Sequence, residues 1–386
     1  MAARTIVVGA GVLGLSVAER LAARGDLVTL VDRGEPGGGT SRTSFGWLNA
    51  NSKVPRAYHQ LNVEAVAAYR RLAGDPVVAP WLHLNGRIQW ADEPADIDEM
   101  DVTVDAMRVW DYPVESISPD AARRLEPDLL IPHGAEVRFW PTEGFVVPQG
   151  LVDWLRRRAN SQGVGLSIGS AVAGFSIEGA RVRGVALDRG AHLAADRVVV
   201  CVGRWTEEVL ALAGVHVPMQ PATRGSPALG LLGYSALVPT RLARTISGPT
   251  LNVRPDTSTG RYVLQGIGLD HLAEPDTPPD PDGDAGRELL ARARHVLSGF
   301  EGARLAELRV GYRAVPADRI TVAGWAPGVD DLYVLATHSG FTLALHLGDL
   351  VAGEIVDGMA EPSLADFRPS RFGAPVPAGV EARAIH

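Results

Sequence analysis

The sequence predicts an α/β fold into which a second domain, built on a mainly antiparallel sheet, is inserted. Strand–helix–strand patterns with glycine turns occur at the start, in the middle and near the end of the chain, and β-rich stretches separate them. A chain of 386 residues is also too long for one compact core. We expect a discontinuous α/β domain at 1–50, 145–215 and 310–375, an inserted domain at 51–144 and 216–309, and a tail at 376–386.

The opening stretch, residues 6–33, reads IVVGAGVLGLSVAERLAARGDLVTLVDR and predicts a strand, a tight turn, a helix and a second strand ending at an acid. Later helices are indicated by apolar spacing and by serine or proline starts, and later strands by short apolar or alternating runs. In chain order we predict a loop at 34–44, helix 55–73, strand 84–92, a short helix within 118–129 that ends before Pro127, helix 148–162, strand 164–168, hairpin 171–195, strand 197–202, helix 205–213, mixed strands to 267, an acidic loop at 274–284, helix 285–298 and a strand–turn–helix unit at 331–358.

The composition narrows the class of protein. A net charge of −8 argues against a nucleic-acid partner, and Arg156, Arg157 and Arg158 are interpreted as the solvated face of a helix. Cys201 is the single cysteine, so disulfides and thiolate metal sites are not expected, and the ten histidines show no ligand spacing. No apolar run reaches the roughly 18 to 20 residues that span a bilayer, and the first strand leaves no room for a signal peptide. We expect a cytoplasmic protein without a metal or membrane insertion.

Three glycines in the opening turn predict a dinucleotide site. Gly9, Gly11 and Gly14 form G-x-G-x-x-G between a strand and a helix, as in Rossmann-like domains. The glycines allow the tight turn, the approach of a pyrophosphate and close helix packing, and the helix N-terminus attracts the phosphate charge. Asp32, 18 residues after Gly14, is placed to accept from ribose hydroxyls and disfavours NADP. The motif alone does not distinguish an NAD site from an FAD site.

Four further segments separate those alternatives by resemblance. They are GTSRTSFGW (39–47), DRVVVCVGRWTEEVL (196–210), RVGYRAVPADRITVAG (309–324) and LYVLATHSGFTLALHLGDLVAGEI (332–355), the last followed by FRPSRF (367–372). In this order they resemble the D-amino-acid oxidase and glycine oxidase family of FAD-dependent amine oxidoreductases, over nearly the whole chain. The resemblance implies that the α/β domain binds FAD and that the inserted domain binds the substrate.

The resemblance also implies which residues contact FAD. Thr40 and Ser41 would meet the pyrophosphate, Val172 the adenine, and Gly203 with Trp205 the ribityl chain. Because Gly311 stands where some members tether flavin through a cysteine, we expect non-covalent FAD. The full set of predicted cofactor residues is Gly9, Gly11, Val12, Leu13, Gly14, Asp32, Arg33, Thr40, Ser41, Ser44, Phe45, Gly46, Trp47, Val172, Gly203, Trp205, Arg313, Ser339, Gly340, Phe341 and Thr342.

Arg313 is the predicted substrate anchor, because family oxidases hold the substrate carboxylate with an arginine at this position. A planar guanidinium fixes both carboxylate oxygens and so orients the reacting carbon. The alternative is that Arg313 pairs with an acid such as Asp318. Tyr312 and Tyr262 are candidates for the pocket lining, as is Tyr58, with core packing as the alternative for each. No acid or base is obligatory; His338 and Lys53 are candidates for catalysis, with structural or surface roles as alternatives.

The sequence therefore predicts an FAD-dependent oxidase of an amine that carries a carboxylate: an amino acid or an N-substituted glycine. A tailoring step in a biosynthesis is one role that this reaction would fit. Amine and O2 would give an imine, which hydrolyses to an oxo acid and an amine or ammonia, and hydrogen peroxide. The alternatives are a dehydrogenase that passes electrons to a quinone or carrier, a non-catalytic flavoprotein subunit, and an NAD dehydrogenase. A homo-oligomer is left open.

Overall fold

The computed structural model describes residues 2–373, and it confirms the predicted fold class. The chain divides into two compact units. Unit 1 contains residues 2–42, Pro148–Pro221 and 312–373, and unit 2 contains Thr43–Val147 and Ala222–Gly311. Residues 43–50, which we assigned to the α/β domain, therefore lie in unit 2, and the predicted tail at 376–386 lies outside the described residues. No helix within the described range is long and apolar enough to cross a membrane.

Each of the eight α-helices described has at least one buried apolar residue. Their bounds are α1 Val12–Ala23, α2 Arg56–Arg70, α3 Pro94–Val109, α4 Pro119–Leu125, α5 Pro148–Ser161, α6 Thr206–Ala211, α7 Asp284–Val296 and α8 Gly340–Asp357. The strands between them are short, with two to eight residues each. They are β1 Arg4–Val8, β2 Leu27–Asp32, β3 Trp47–Leu48, β4 Leu82–His83, β5 Arg87–Ala91, β6 Glu115–Ile117, β7 Glu136–Trp140, β8 Gly144–Val146, β9 Gly165–Ile168, β10 Val172–Glu178, β11 Arg181–Leu187, β12 His192–Ala194, β13 Arg197–Val200, β14 Leu229–Ser235, β15 Thr245–Ser247, β16 Leu251–Asp256, β17 Arg261–Gly266, β18 Leu305–Tyr312, β19 Val322–Trp325 and β20 Leu332–Ala336.

Unit 1 is built on a six-stranded sheet with the order β19-β20-β13-β1-β2-β9. The strands are parallel except β19, which runs antiparallel to β20. Strands β1, β13 and β20 are apolar and almost fully buried, as expected for parallel strands covered on both faces. A smaller antiparallel sheet, β10-β11-β12, is the predicted hairpin with a third strand.

Two helices of unit 1 pack closely against each other. A Cβ placed on Gly348 of α8 would lie 2.3 Å from Ser16 Oγ of α1, so glycine permits this approach. Arg158 at the end of α5 corrects one prediction. It is not simply part of a solvated face, because its guanidinium pairs at 2.6 Å with Glu19, whose side chain is buried in α1. A buried carboxylate needs such a partner.

Unit 2 is built on an eight-stranded sheet with the order β18-β14-β17-β16-β15-β5-β7-β6. The pair β15–β5 is parallel, whereas β14–β17, β16–β17, β15–β16, β5–β7 and β6–β7 are antiparallel, which matches the mainly antiparallel prediction. Helix α3 has no counterpart among the predicted elements. Its buried residues Met100, Val104 and Met107 pack in a cluster with Trp140.

Candidate active site

The glycine turn of unit 1 leaves an open cradle at one position. Gly9 has φ +103°, and a Cβ there would lie 2.4 Å from the carbonyl oxygen of Cys201. A Cβ on Gly14 would lie 1.7 Å from the carbonyl oxygen of Gly9. Gly11 differs, because the nearest atom to its Cβ would be Ser41 Oγ at 3.4 Å. The protein itself requires Gly9 and Gly14, whereas Gly11 leaves the space that a pyrophosphate would fill.

Asp32 ties this turn to the following loop. Its Oδ2 accepts the backbone N–H of Ala10 at 2.6 Å, and its Oδ1 accepts that of Gly34 at 2.8 Å. Each carboxylate oxygen can accept a second hydrogen bond, so ribose hydroxyls still have acceptors there. The acid therefore shapes the turn, and its contact with ribose hydroxyls stays a prediction.

The N-termini of two helices meet at the cradle. Gly340 begins α8, and a Cβ there would lie 3.7 Å from a side-chain methyl of Val12, the first residue of α1. Ser339, Phe341 and Thr342 around this helix start are buried. Two helix N-termini that point at one region favour an anion, which fits a dinucleotide phosphate or the charge of a reduced flavin.

Two side chains of the short turn Thr40–Arg42 reach distant parts of unit 1. Ser41 Oγ accepts the backbone N–H of Val12 at 3.1 Å. Thr40 Oγ1 donates to the carbonyl oxygen of Tyr312 at 2.5 Å. This second bond brings the backbone just before Arg313 next to the turn that follows the dinucleotide motif.

Two guanidinium groups contact the indole of Trp205. The Cζ atom of Arg33 is 3.9 Å from an indole centroid of Trp205, and that of Arg204 is 4.3 Å from it. A Cβ on Gly39 would also touch the indole at 3.4 Å. The structure thus brings together three predicted segments. Arg204, which also lies 4.1 Å above the Tyr312 ring, was missed although it stands inside the resembling segment 196–210.

Asp318, named above as an alternative partner for Arg313, pairs with Arg371. Arg371 Nε donates to Asp318 Oδ2 at 2.6 Å, and Arg371 Nη2 donates to Oδ1 at 3.2 Å. Arg313 is half-buried in unit 1, one residue before Ala314, whose Cβ would lie 3.8 Å from a Cβ on Gly203. The segment of Arg313 therefore adjoins the Gly203 turn.

The remaining unit 1 candidates have simpler surroundings. Val172 begins β10 and pairs with Leu187. His338 is half-buried and lies two residues before Gly340, the first residue of α8. Within residues 2–373 no group of three or more His, Cys, Asp or Glu side chains could hold a metal ion.

The candidates in unit 2 form a separate set. The rings of Phe45 and Trp47 stack with centroids 4.7 Å apart, and Ser44 Oγ accepts the backbone N–H of Gly46 at 3.2 Å. Tyr262 is buried and its hydroxyl donates to the carbonyl oxygen of Thr240 at 2.5 Å, which corresponds to the packing alternative. Lys53 is half-exposed.

Comparison with known proteins decides the family. The model of the D-amino-acid oxidase (DAO) family, described as FAD dependent oxidoreductase, matches residues 4–354. The chain belongs to this family. Its members depend on FAD, so the chain is an FAD-dependent amine oxidoreductase, and the sequence-based resemblance is confirmed.

Relatives of this DAO-family chain include a glycine oxidase and a D-amino acid dehydrogenase. The glycine oxidase of Pseudomonas aeruginosa is 28% identical over 369 residues, which cover 92% of this chain and 96% of that protein. The D-amino acid dehydrogenase of Allorhizobium ampelinum is 26% identical, over 75% of this chain and 68% of that protein.

Solved structures show the same fold. Glycine oxidase from Geobacillus kaustophilus superimposes with a TM-score of 0.79 at 23% identity, covering 96% of this chain and 99% of that chain. L-proline dehydrogenase from P. horikoshii gives a TM-score of 0.82 at 20% identity, covering 96% and 98%.

Proposed function

We propose that this DAO-family enzyme is an oxidase of an amine that carries a carboxylate: a D-amino acid, glycine or an N-substituted glycine. The observation that carries the proposal is the hydrogen bond from Thr40 Oγ1 to the carbonyl of Tyr312 at 2.5 Å. It supports a site in which the guanidinium of Arg313 lies beside the dinucleotide cradle. The glycine oxidase relative that matches almost end to end agrees with a small substrate of this kind.

The residues of unit 1 would hold and orient the reactants. FAD, when bound, supplies the acceptor for the hydride, with its two electrons, that leaves the carbon next to the amine. Arg313 would hold both carboxylate oxygens, which fixes the orientation of that carbon. The buried start of α8 at Ser339–Thr342 would exclude water and place backbone N–H groups where negative charge develops. The neutral amine is the reactive form.

The overall reaction balances with dioxygen as the oxidant. The amine loses one hydride and one proton to become an imine, and dioxygen takes up both electrons and two protons to become hydrogen peroxide. Water then splits the imine into an oxo acid and an amine or ammonia. Lys53 and His338 stay candidates for assisting these steps.

A dehydrogenase is the second candidate, supported by the D-amino acid dehydrogenase relative. It would pass the same electrons to a quinone or a carrier protein. We further propose that FAD is bound without a covalent link, because Gly311 stands at the tether position and the sole cysteine, Cys201, is buried beside the glycine turn. Acid precipitation should then leave all FAD in the supernatant.

The test is a panel of amino acids and N-alkyl glycines, assayed for peroxide in air and for dye reduction without oxygen. Wild type is compared with Arg313→Ala and Arg313→Lys, and with Arg189→Ala at an exposed position as the matched control. We expect peroxide from the wild type and a rise in KM of about 100-fold or more in Arg313→Ala, since charge-assisted bonds are each worth about 1.5–3 kcal/mol.

Each other outcome has a distinct meaning. Dye reduction without peroxide would identify a dehydrogenase. Full affinity for carboxylate substrates in Arg313→Ala would show that the anchor lies elsewhere. A bound flavin that no amine reduces would indicate a non-catalytic subunit.

A further inference from the structure

Arg254 carries a buried charge in unit 2. It lies in β16 and is 1% exposed, among the largest fully buried side chains in the described range. No carboxylate among residues 2–373 lies within ion-pair distance of its guanidinium, and the nearby Asp256 binds the hydroxyls of Ser258 and Thr259 instead. Burial lowers the pKa of Arg254 to about 10, which leaves it charged at neutral pH.

The guanidinium is held by backbone oxygens and aromatic rings. Its Nε donates to the carbonyl oxygen of Phe45, and Nη1 donates to that of Pro255 at 2.8 Å. Its Cζ lies 5.5 Å from the ring centroid of Phe45 and 5.4 Å from that of Phe145. A desolvated cation over aromatic faces is stabilised by the ring quadrupoles. Arg254 thereby links β16 of the eight-stranded sheet and Phe145 of β8 to the Ser44–Trp47 segment.

That segment is fixed by several further contacts within unit 2. Gly46 has φ +76°, and its carbonyl oxygen accepts the backbone N–H of Val146 at 2.8 Å. Trp47 pairs with Phe145 in the small sheet β3-β8-β4. Without Arg254, the carbonyl oxygen of Phe45 would be a buried acceptor with no strand partner. The Arg254 guanidinium therefore supplies the hydrogen-bond donor that the backbone does not.

We propose that Arg254 is a positioning residue that holds the Phe45 carbonyl and thereby fixes the Ser44–Trp47 segment, for which the family resemblance implies contacts with FAD. The inference depends on the proposed role of this segment in contacting FAD. Two bonds to two carbonyls and two ring contacts require a planar fork, so lysine cannot replace arginine here.

The test compares Arg254→Gln and Arg254→Lys with Arg138→Gln in the FAD-loaded enzyme. Arg138 is a matched control, because it is a buried arginine of the same unit whose ion partners are Asp101 and Glu136. The readouts are the urea unfolding midpoint, the visible circular dichroism of bound flavin, the FAD dissociation constant, and kcat and KM on an active amine. Arg254→Lys keeps the charge and is the second variant if Arg254→Gln does not fold.

We expect both Arg254 variants to change the flavin dichroism and to weaken FAD binding at least fivefold. We also expect kcat to fall at least tenfold with KM changed by less than threefold. Arg138→Gln should lower the unfolding midpoint only. If either Arg254 variant keeps wild-type dichroism, FAD affinity and kcat, the proposal is wrong. If wild type oxidises no amine on the panel, the proposed function fails, whereas dichroism and FAD affinity still decide the role of Arg254.

Discussion

The backbone N–H of Val12 donates to the hydroxyl of Ser41 at 3.1 Å, across 29 positions of the sequence. Val12 is the first residue of α1, and Gly11 before it has no side chain to cap the helix. The first N–H groups of a helix lack partners within the helix. Ser41 therefore caps α1 from the loop that follows β2.

Replacing Ser41 with alanine should lower the free energy of unfolding by about 0.5–2 kcal/mol, the usual cost of losing a helix cap. Urea titration of the apoprotein measures this change. Ser16→Ala on the same helix is the control, because Ser16 Oγ is buried without a hydrogen-bond partner in the described structure. Equal stability of the two variants would contradict the capping role.

Alanine at Gly14 should prevent folding, whereas alanine at Gly11 should weaken FAD binding in a folded protein. The Gly14 variant would place Cβ 1.7 Å from a backbone oxygen, so we expect failure to fold or severe destabilisation. The Gly11 variant meets only Ser41 Oγ at 3.4 Å, so it should fold and lose FAD affinity by about tenfold or more, which corresponds to about 1.4 kcal/mol. Quenching of FAD fluorescence on titration of apoprotein measures the affinity.

Gly134→Ala is the matched control, because a Cβ there meets nothing within 4 Å. Wild-type FAD affinity in a folded Gly11→Ala variant would show that the cradle at Gly11 does not receive the cofactor.

Cys201 should be unreactive in the native enzyme. The thiol is buried beside the glycine turn, and burial raises its pKa far above the usual value for cysteine. Because the thiolate is the reactive form, we expect no labelling by a disulfide reagent at pH 8 and one labelled thiol per chain in urea. FAD should slow labelling at intermediate urea, since it stabilises the native state by mass action. Rapid stoichiometric labelling without denaturant would contradict the buried position.

His59 should make stability depend on pH. Its Nδ1 lies 2.8 Å from the carbonyl oxygen of Ala50, and burial, with a smaller effect from Arg56, lowers its pKa. Below about pH 6.5 the unfolded chain binds a proton that native His59 resists, so stability falls as the pH drops through this value. His59→Gln should flatten the dependence of unfolding free energy between pH 7 and 5.

The control for that experiment is His133→Gln, at an exposed position. His133→Gln should leave the pH dependence of the unfolding free energy as in wild type. An equal flattening in both variants would show that His59 is not its cause.

The sequence predicts the parts of the fold that depend on local patterns. The βαβ opening, helix α5 and the β20–α8 unit follow from apolar periodicity and glycine position, and all are present. Helix α3 was missed, although Pro94 at its start and the spacing of Met100, Val104 and Met107 could have indicated it. The order of the eight-stranded sheet of unit 2 depends on long-range pairing, which no local pattern contains.

The candidate site likewise contains residues that a local motif predicts and contacts between distant segments that it does not. The glycines and Asp32 lie within one local motif, so spacing alone predicts them. The bonds from Ser41 to Val12 and from Thr40 to Tyr312 join distant segments, as do the stack of Arg33 on Trp205 and the pair between Arg371 and Asp318. Only the family resemblance brought some of these residues together beforehand, and it named no contact between them.

The strand order of unit 1 has a consequence for biosynthesis. Strand β1 pairs with β13, and β13 with β20, so the sheet beneath the glycine turn is complete only when residues near 336 have left the ribosome. At translation rates of about 5–20 residues per second, the sheet waits on the order of tens of seconds for its last strand, β20. During that interval the nascent chain exposes an apolar strand edge, and loading of the cofactor belongs to the end of synthesis or after it.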